Sequence, residues 1–354
     1  MMAGATPEPT AVETSLARVF AGRASWRVPE IVFWIGAFLI LLVWPSRGLL
    51  INEIAILALF ALSLDLILGY AGIISLGHAA FFGMGAYVAG LLTKHGLADP
   101  TLGLVIAAAS AAALGFATSF LVLRGADLTR LMVTLGVALM LFEIANQWSA
   151  LTGGADGLQG VAPGPVLGLF AFDIFGRTAS SYSLAILFLM FLLARRITNS
   201  PFGLSLRSIR DNPLRAAAIG IPVARRLVAI YTIGASFAGV AGALLAQTTQ
   251  FVSLDVFDFA RSADVLLVLI IGGTGYLYGG LLGAVAFKVL QDGFAAITPQ
   301  HWQFWIGFVL VALVLAGRDR LARLGRRGMS IIAARLGLDL GKVDAGLHSR
   351  GAGS

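Results

Sequence analysis

Ionisable side chains are rare along this chain, and several of them lie within apolar runs. The chain has 354 residues, of which 58% are hydrophobic and 12% are charged. An acid or base in a membrane-spanning run is costly, and it marks either a solute or ion path or a structural ion pair. The candidates are Glu53, Asp65, Glu143, Lys288 and Asp292, with His78 and Asn146 as neutral companions.

No catalytic or nucleotide-binding pattern accompanies these residues. The chain has no cysteine and only four widely separated histidines, so we expect no metal site and no cofactor. The string GLDLGKV (337–343) has the wrong spacing for a phosphate-binding loop. The net charge of +7 is typical of the positive-inside bias of membrane proteins, and it does not indicate a nucleic-acid partner.

The elements that must position these residues are membrane-spanning helices. A soluble domain carries about 25% charged residues, about twice the fraction found here, and a spanning helix needs about 20 mostly apolar residues. The sequence predicts an all-α polytopic membrane protein with eight to ten spans, some broken by glycine. The candidates are 30–46, 49–68, 74–93, 101–123, 129–150, 181–198, 226–249, 263–279, 280–297 and 301–317.

The distribution of basic residues predicts the orientation. With both termini cytoplasmic, most of the 25 Lys and Arg residues lie inside, as the positive-inside rule requires. The outside would hold Arg47, Lys94, Arg177 and Arg261, while Lys288 lies within a span. The predicted organisation is a cytoplasmic segment (1–29), a transmembrane domain (30–317) and a basic cytoplasmic tail (318–354). An external loop (151–180) and a cytoplasmic loop (199–225) interrupt the spans.

One apolar stretch, GYAGIISLGHAAFFGMGAY (69–87), is unusually rich in glycine. Gly69, Gly72, Ser75, Gly77 and His78 fall within ten residues. Glycine in a span either lets helices pack closely or marks a backbone break facing protein or a watery cavity. Both interpretations remain open for this stretch.

A second glycine-rich stretch, IIGGTGYLYGGLLGA (270–284), contains Gly272, Gly273 and Gly275. Two glycine-interrupted segments in the two halves of a transporter point to a path between them. We therefore predict that both stretches, together with Asp65, line or gate a translocation path.

The loop 199–225 contains helix boundary signals. Asp211-Asn212-Pro213 is typical of a helix start, because Asn caps the first turn and Pro fits its first position. The short run LRAAAIG ends at Gly220, a plausible C-terminal cap. The sequence thus predicts a short capped helix in the cytoplasmic loop.

Several motifs in sequence order resemble the branched-chain amino-acid ABC transporter permeases. They are GYAGIISLGHAAFFGMGAYVAGLL (69–92), LTRLMVTLG (128–136), TGGADGLQGV (152–161), the segment 202–244, and VLIIGGTGYLYGGLLGA (268–284). The resemblance covers roughly residues 50–317, and the long loop with TGG is similar to that of the larger, second permease subunit.

The resemblance implies a bacterial inner-membrane importer made of several subunits. The partners would be a second homologous permease, two cytoplasmic ATPase subunits and an external solute-binding protein. The cytoplasmic loop would hold the helix that couples to an ATPase. Its candidate residues are Arg210, Asp211, Asn212, Arg215, Ala217 and Gly220.

Two positions depart from the family pattern. Ala217 stands where relatives often carry an acid, and Asp65 where they often carry Asn. The family also includes permeases for urea, short amides and other small solutes, so the solute stays open. Three other classes are the alternatives: a secondary transporter using Asp65, Glu143 or His78 for protons, a membrane-embedded enzyme, and a passive channel.

Overall fold

The computed structural model describes residues 26, 28–125, 127–173 and 175–316, and these residues are almost entirely helical. Among them, β-structure is limited to two isolated bridges. The predicted all-α architecture is confirmed. The α-helices are α1 Val28–Val43, α2 Gly48–Ala71, α3 Ala79–Lys94, α4 Pro100–Val122, α5 Asp127–Gln147, α6 Ser149–Thr152, α7 Arg177–Thr198, α8 Pro201–Asp211, α9 Pro213–Ala218, α10 Val223–Thr249, α11 Phe259–Gly272, α12 Leu277–Ile297 and α13 Trp302–Ala316.

Each of the ten predicted spans corresponds to a helix, but the helices differ in length. Within the described residues, six are long and apolar enough to cross a membrane: α2, α4, α5, α7, α10 and α12. The others have 14 to 16 residues, at most about 24 Å against a hydrocarbon core of about 30 Å. Two of these short helices, α3 and α11, lie next to the glycine breaks, and the breaks account for their length.

Three predicted boundaries were wrong at these breaks. The candidate 74–93 begins only at Ala79, and the candidate 263–279 ends at Gly272. In both cases the apolar pattern continues through residues whose backbone leaves the helix. The candidate 280–297, expected to be interrupted, is instead part of the continuous helix α12.

The chain divides into two units, one up to Lys288 and the other from Val289. In the second unit the rings of Phe294 and Trp305 stack at 6.3 Å. The predicted cytoplasmic tail (318–354) and nearly all of the segment 1–29 lie outside the described residues. The orientation and the three predicted domains therefore stay predictions.

Helices α2 and α10 form the centre of the first unit. Both are largely buried, and α3 packs on α10 through backbone-to-backbone contacts. A Cβ at Gly85 would collide with the carbonyl of Gly239, and one at Gly242 with the carbonyl of Phe82. Small residues allow such close approach in a lipid environment. Glycines of the first stretch beyond Ala79 thus serve packing.

Helices α4, α5 and α12 have mostly exposed apolar surfaces. On α5, large side chains such as Leu128, Met132 and Met140 are more than half exposed. In water such surface would be unfavourable, whereas lipid tails or another membrane subunit can cover it. Their exposure supports the membrane assignment.

A buried polar network joins three central helices. Asn52 of α2 donates to the Thr248 hydroxyl at 3.0 Å and accepts from Ser183 at 2.6 Å. At the adjacent positions of the same two helices, Tyr182 donates to Gln247 at 3.1 Å. Each of these side chains forms a hydrogen bond with another member of the network, as buried polar groups require. This network was not predicted from the sequence, because its members are far apart in the chain.

The predicted external loop is shorter than expected, since α7 already begins at Arg177. Leu158 and Val252 exchange backbone hydrogen bonds of 2.7 and 3.2 Å, and both are buried. The Leu158 side chain lies against Gly90 of α3. The loop is therefore packed on the end of α3.

Asp99 begins α4 from the loop that precedes it. Its carboxylate accepts hydrogen bonds from the Thr101 hydroxyl at 2.7 Å and the Thr101 N–H at 2.9 Å. These bonds hold the pKa of Asp99 below its ordinary value, because they favour the charged form. Asp99 is therefore the N-terminal cap of α4.

Candidate functional site: two glycine breaks and the helices that contact them

The first glycine stretch contains a true break in the helix. Helix α2 ends at Ala71, and Gly72 adopts a left-handed conformation with φ 73°. The N–H groups of Gly72 and Ile73 turn back onto the last carbonyls of α2, at 3.0 and 3.1 Å. Residues 72–78 are then not helical, and α3 begins at Ala79. Such a left-handed glycine is a common helix terminator.

His78 is held in the break as a hydrogen-bonded core residue. It is fully buried, stacks on Phe60 at 5.4 Å, and its Nε2 lies 2.8 Å from the Ser63 hydroxyl. That hydroxyl already donates to the Phe60 carbonyl at 2.6 Å, so it must accept from His78. The network assigns the proton to Nε2 and leaves Nδ1 as an acceptor with no partner among the described residues.

Ser75 and Gly77 occupy the middle of the same break. Ser75 is buried, and its hydroxyl has no partner in the described part of the chain. A Cβ at Gly77 would collide with the carbonyl of Thr134 on α5, whose hydroxyl accepts from the Leu76 N–H at 3.3 Å. Only glycine permits this approach of the break to α5.

Two side chains that support the break were missed by the sequence analysis. Thr134 contacts it as described, and Ser262 of α11 accepts a 2.9 Å hydrogen bond from the Ala79 N–H. Ser262 therefore caps the first turn of α3 from another helix, where a helix start leaves donors unsatisfied. A lone Ser in an apolar helix gives no sequence signal of this role.

The second glycine stretch breaks between α11 and α12. Helix α11 ends at Gly272, and Gly273 and Gly275 have positive φ values of 99° and 76°. A Cβ at Gly272 would collide with the carbonyl of Gly279 on α12. The stretch therefore combines a four-residue break with a tightly packed helical hairpin.

The second break meets the end of α2 at Asp65. Its Oδ1 accepts a 2.7 Å hydrogen bond from the N–H of Gly275, and the residue is 1% exposed. A Cβ at Gly69 would collide with Asp65 Oδ1 and with the backbone of Gly275. We name this cluster the glycine junction, consisting of Asp65, Gly69, Gly72 and Gly275. It joins segments that are 210 residues apart in sequence.

Helix α8, which the sequence analysis did not predict, lies against the glycine junction. Ser200 caps its start, accepting from the Gly203 N–H at 3.4 Å. Arg207 lies over the Tyr70 ring at 5.1 Å, and Arg210 donates to the Gly69 carbonyl at 2.5 Å. Both arginines therefore contact the last turn of α2, where the helix dipole favours positive charge.

The predicted short helix, α9, follows after one residue. The side chain of Asn212 accepts from the Arg215 N–H at 2.9 Å, as predicted for its cap. At the other end, the N–H groups of Gly220 and Ile221 bond the carbonyls of Ala217 and Ala216, at 3.0 and 3.1 Å. With Gly220 at φ 88°, this is the Schellman arrangement.

Helix α9 and its C-terminal cap carry two large apolar side chains that are exposed. Leu214 is 82% exposed and Ile219 69%, while Ala217, Arg215 and Asp211 are exposed as well. The exposed surface around α9 therefore combines apolar and charged side chains.

Three other predicted ionisable residues, Glu53, Glu143 and Lys288, do not join this site. Glu53 pairs with Lys288 at 2.7 Å, and Glu143 accepts from Gln147 at 2.6 Å on an exposed face. In the described part of the chain, no group of three acids or histidines could hold a metal ion. A convergent catalytic set is likewise not formed by these residues.

The architecture is that of a multi-pass helical membrane protein, with six long apolar helices among the described residues. A family model described as "Branched-chain amino acid transport system / permease component" matches residues 48–315. The chain belongs to this family of transport permeases. The predicted family and membrane location are thus confirmed.

Relatives within and around this family differ in solute. The high-affinity branched-chain amino acid transport system permease protein LivM of Escherichia coli (strain K12) is 29% identical over 75% of this chain and 68% of its own length. The autoinducer 2 import system permease protein LsrC of Enterobacter sp. (strain 638) is 26% identical, over 79% and 81%. The fructose import permease protein FrcC of Rhizobium meliloti is 24% identical, over 77% and 77%. No solved structure matches.

Proposed function

We propose that this chain is a permease subunit of a bacterial ABC importer in the inner membrane, and that it translocates branched-chain or related amino acids. The observation that carries the proposal is the glycine junction, where the second break packs on the end of α2 beside α8, the helix that leads into the exposed, capped α9. The amino-acid assignment is supported by the family match and by the two LivM relatives, each 29% identical.

The proposed mechanism is alternating access driven by partner subunits. A shift between outward-open and inward-open states requires an energy source that distinguishes the two states. The sequence contains no phosphate-binding loop, so we assign nucleotide hydrolysis to two cytoplasmic ATPase subunits. A second homologous permease would complete the pore, and an external binding protein would deliver the solute.

These partners are tested by purifying the tagged chain in gentle detergent after expression with its neighbouring genes. We expect a second permease and an active ATPase to co-purify in fixed stoichiometry. A chain that purifies alone and takes up solute in liposomes without ATP would contradict the proposal. It would favour a secondary transporter, whose uptake should collapse with an uncoupler while ATP is held constant.

We assign α9 as the element that docks on an ATPase subunit. Leu214 and Ile219 would enter an apolar groove, while Arg210, Asp211 and Arg215 would border it. Ala217 is compatible with this role, because its side chain is exposed. Docking at this position can depend on the shape of the surface rather than on an acidic side chain.

The docking assignment is tested by Gly220→Val. The left-handed backbone of Gly220 disfavours a Cβ by about 1–2 kcal/mol, so the valine should alter the end of α9 and abolish transport while membrane insertion persists. The matched control is Gly160→Val, since Gly160 also has a positive φ (80°) and, like Gly220, no atom within 4 Å of a built Cβ. Normal uptake in Gly220→Val would overturn the assignment.

The glycine breaks are proposed to line or gate the path. Residues Gly69, Gly72, Ser75, Gly77, His78, Gly272, Gly273, Gly275 and Asp65 would form this region. The His78 Nδ1 acceptor and the Ser75 hydroxyl, which have no hydrogen-bond partner among the described residues, are the polar groups in the first break that would meet a solute.

The identity of the solute is tested by measuring the ATPase activity of the purified complex with different solutes. We expect leucine, isoleucine or valine to stimulate its ATPase activity in the presence of the binding protein. Stimulation by urea, short amides or a sugar, with no response to these amino acids, would replace the amino-acid assignment and leave the permease assignment intact.

A further inference from the structure

We propose that Arg210 is the positioning residue that links α9 to both glycine breaks, an inference that rests on the proposed importer function. Its Nη1 donates to the Gly69 carbonyl at 2.5 Å. The same atom lies 3.1 Å from where a Cβ of Gly275 would be, and the Arg210 Cγ lies 2.9 Å from that of Gly72. One side chain therefore contacts the first break, the last turn of α2 and the second break.

The Gly69 carbonyl needs a donor from outside its own helix. In a continuing helix it would accept from Ile73, but the Ile73 N–H bonds the Ile67 carbonyl instead. Carbonyls at a helix C-terminus are unsatisfied and carry partial negative charge. The guanidinium of Arg210 supplies the missing donor and complements this charge.

The connection from Arg210 to α9 is short and built on a packed helix. Leu206 and Ile209 of α8 are buried, so α8 is held against its neighbours by an apolar face. Arg210 is two residues from Asn212, the cap of α9. A docked partner that displaces α9 would therefore also move Arg210, because only Asp211 separates Arg210 from the cap residue Asn212.

A guanidinium suits this position better than an amine. It is planar, with several donors in a fixed arrangement, so its Nη1 can bond the Gly69 carbonyl beside Gly275 while Nε and Nη2 face the Asp211 carboxylate. Its Nη2 lies 3.3 Å from the Asp211 carboxylate. A lysine would retain the charge but would not hold both contacts at once.

The test uses the natural absence of cysteine. A single reporter, Ser75→Cys, is introduced into the first break, and the complex with its ATPase partners is labelled with N-ethylmaleimide. Labelling rates are compared without nucleotide and with ATP plus vanadate. Because allosteric coupling typically amounts to a factor of about 5–150, we expect ATP plus vanadate to change the rate in the parent by at least about fivefold.

Adding Arg210→Ala should reduce this nucleotide response to near unity. The matched control is Arg207→Ala, which removes the same charge from the same helix and a contact with α2, but leaves Gly69 and Gly275 untouched. It should retain most of the response. A full response in Arg210→Ala, or an equal loss in both variants, would overturn the assignment.

A third variant covers the case in which Arg210→Ala fails to assemble. Arg210→Lys should assemble and show a response clearly below the parent's, and a response equal to the parent's would contradict the need for a guanidinium. A parent complex that co-purifies with its ATPases but shows no nucleotide response would overturn the proposed mechanism and the link with it. A chain without ATPase partners would overturn the proposed function and, because the link rests on that function, the link as well.

Discussion

The glycine junction leads to a prediction in which the usual effect of a helical Gly→Ala change is reversed. Gly69 lies in the last turn of α2, where alanine would normally stabilise the helix by about 1 kcal/mol. In this structure the added Cβ would meet Asp65 Oδ1 and the backbone of Gly275. We therefore expect Gly69→Ala to destabilise the protein.

The magnitude follows from the contacts that must give way. Separating Gly275 from Asp65 leaves a buried donor or acceptor unsatisfied, which costs about 1–3 kcal/mol. Displacing backbone atoms to fit an extra methyl group costs about 1–3 kcal/mol more. After the gain of about 1 kcal/mol in helix propensity, the net loss is about 1–5 kcal/mol.

The assay is the free energy of unfolding in detergent, or the thermal midpoint, for Gly69→Ala and a matched control. Gly136→Ala is the control, because Gly136 lies within α5 with no atom within 4 Å of a built Cβ. It should be neutral or stabilising by up to about 1 kcal/mol. A Gly69→Ala protein as stable as the Gly136→Ala protein would refute the reasoning about the junction.

Three further predictions concern side chains around the site. Ser262→Ala should lower stability by about 1–3 kcal/mol, since the Ala79 N–H loses its acceptor, whereas Ser262→Thr should recover most of the loss in a thermal denaturation assay. Asn212→Ala should weaken α9 by about 1 kcal/mol through loss of its cap, seen as faster hydrogen exchange over Pro213–Ala218; unchanged exchange would contradict it. Lys288→Met should cost at most about 1 kcal/mol, because its partner Glu53 is half exposed; a loss above about 3 kcal/mol would show that the pair is far more important than an exposed one.

The pattern of apolar residues predicts where helices lie but not where they stop. The candidate 263–279 continues past Gly272 because every residue around the break is apolar or small. What ends α11 is the positive φ of Gly273, a backbone property that hydropathy does not record. The short helix α9 was predicted because its signals, Asn212 and Gly220, act on neighbouring residues.

The sequence by itself determined the membrane environment, the helical class and the residues of the two glycine stretches. Each of these depends on composition or on spacing within a few residues. Only the tertiary structure decided that Asp65, Gly69, Gly275 and Arg210 form one cluster. Their contacts join residues 141 and 210 positions apart. The sequence shows that a residue is glycine, but it does not show which other segment of backbone packs against it. The roles of Ser262 and Thr134 could not be predicted for the same reason, since both bond backbone groups that are distant in the sequence.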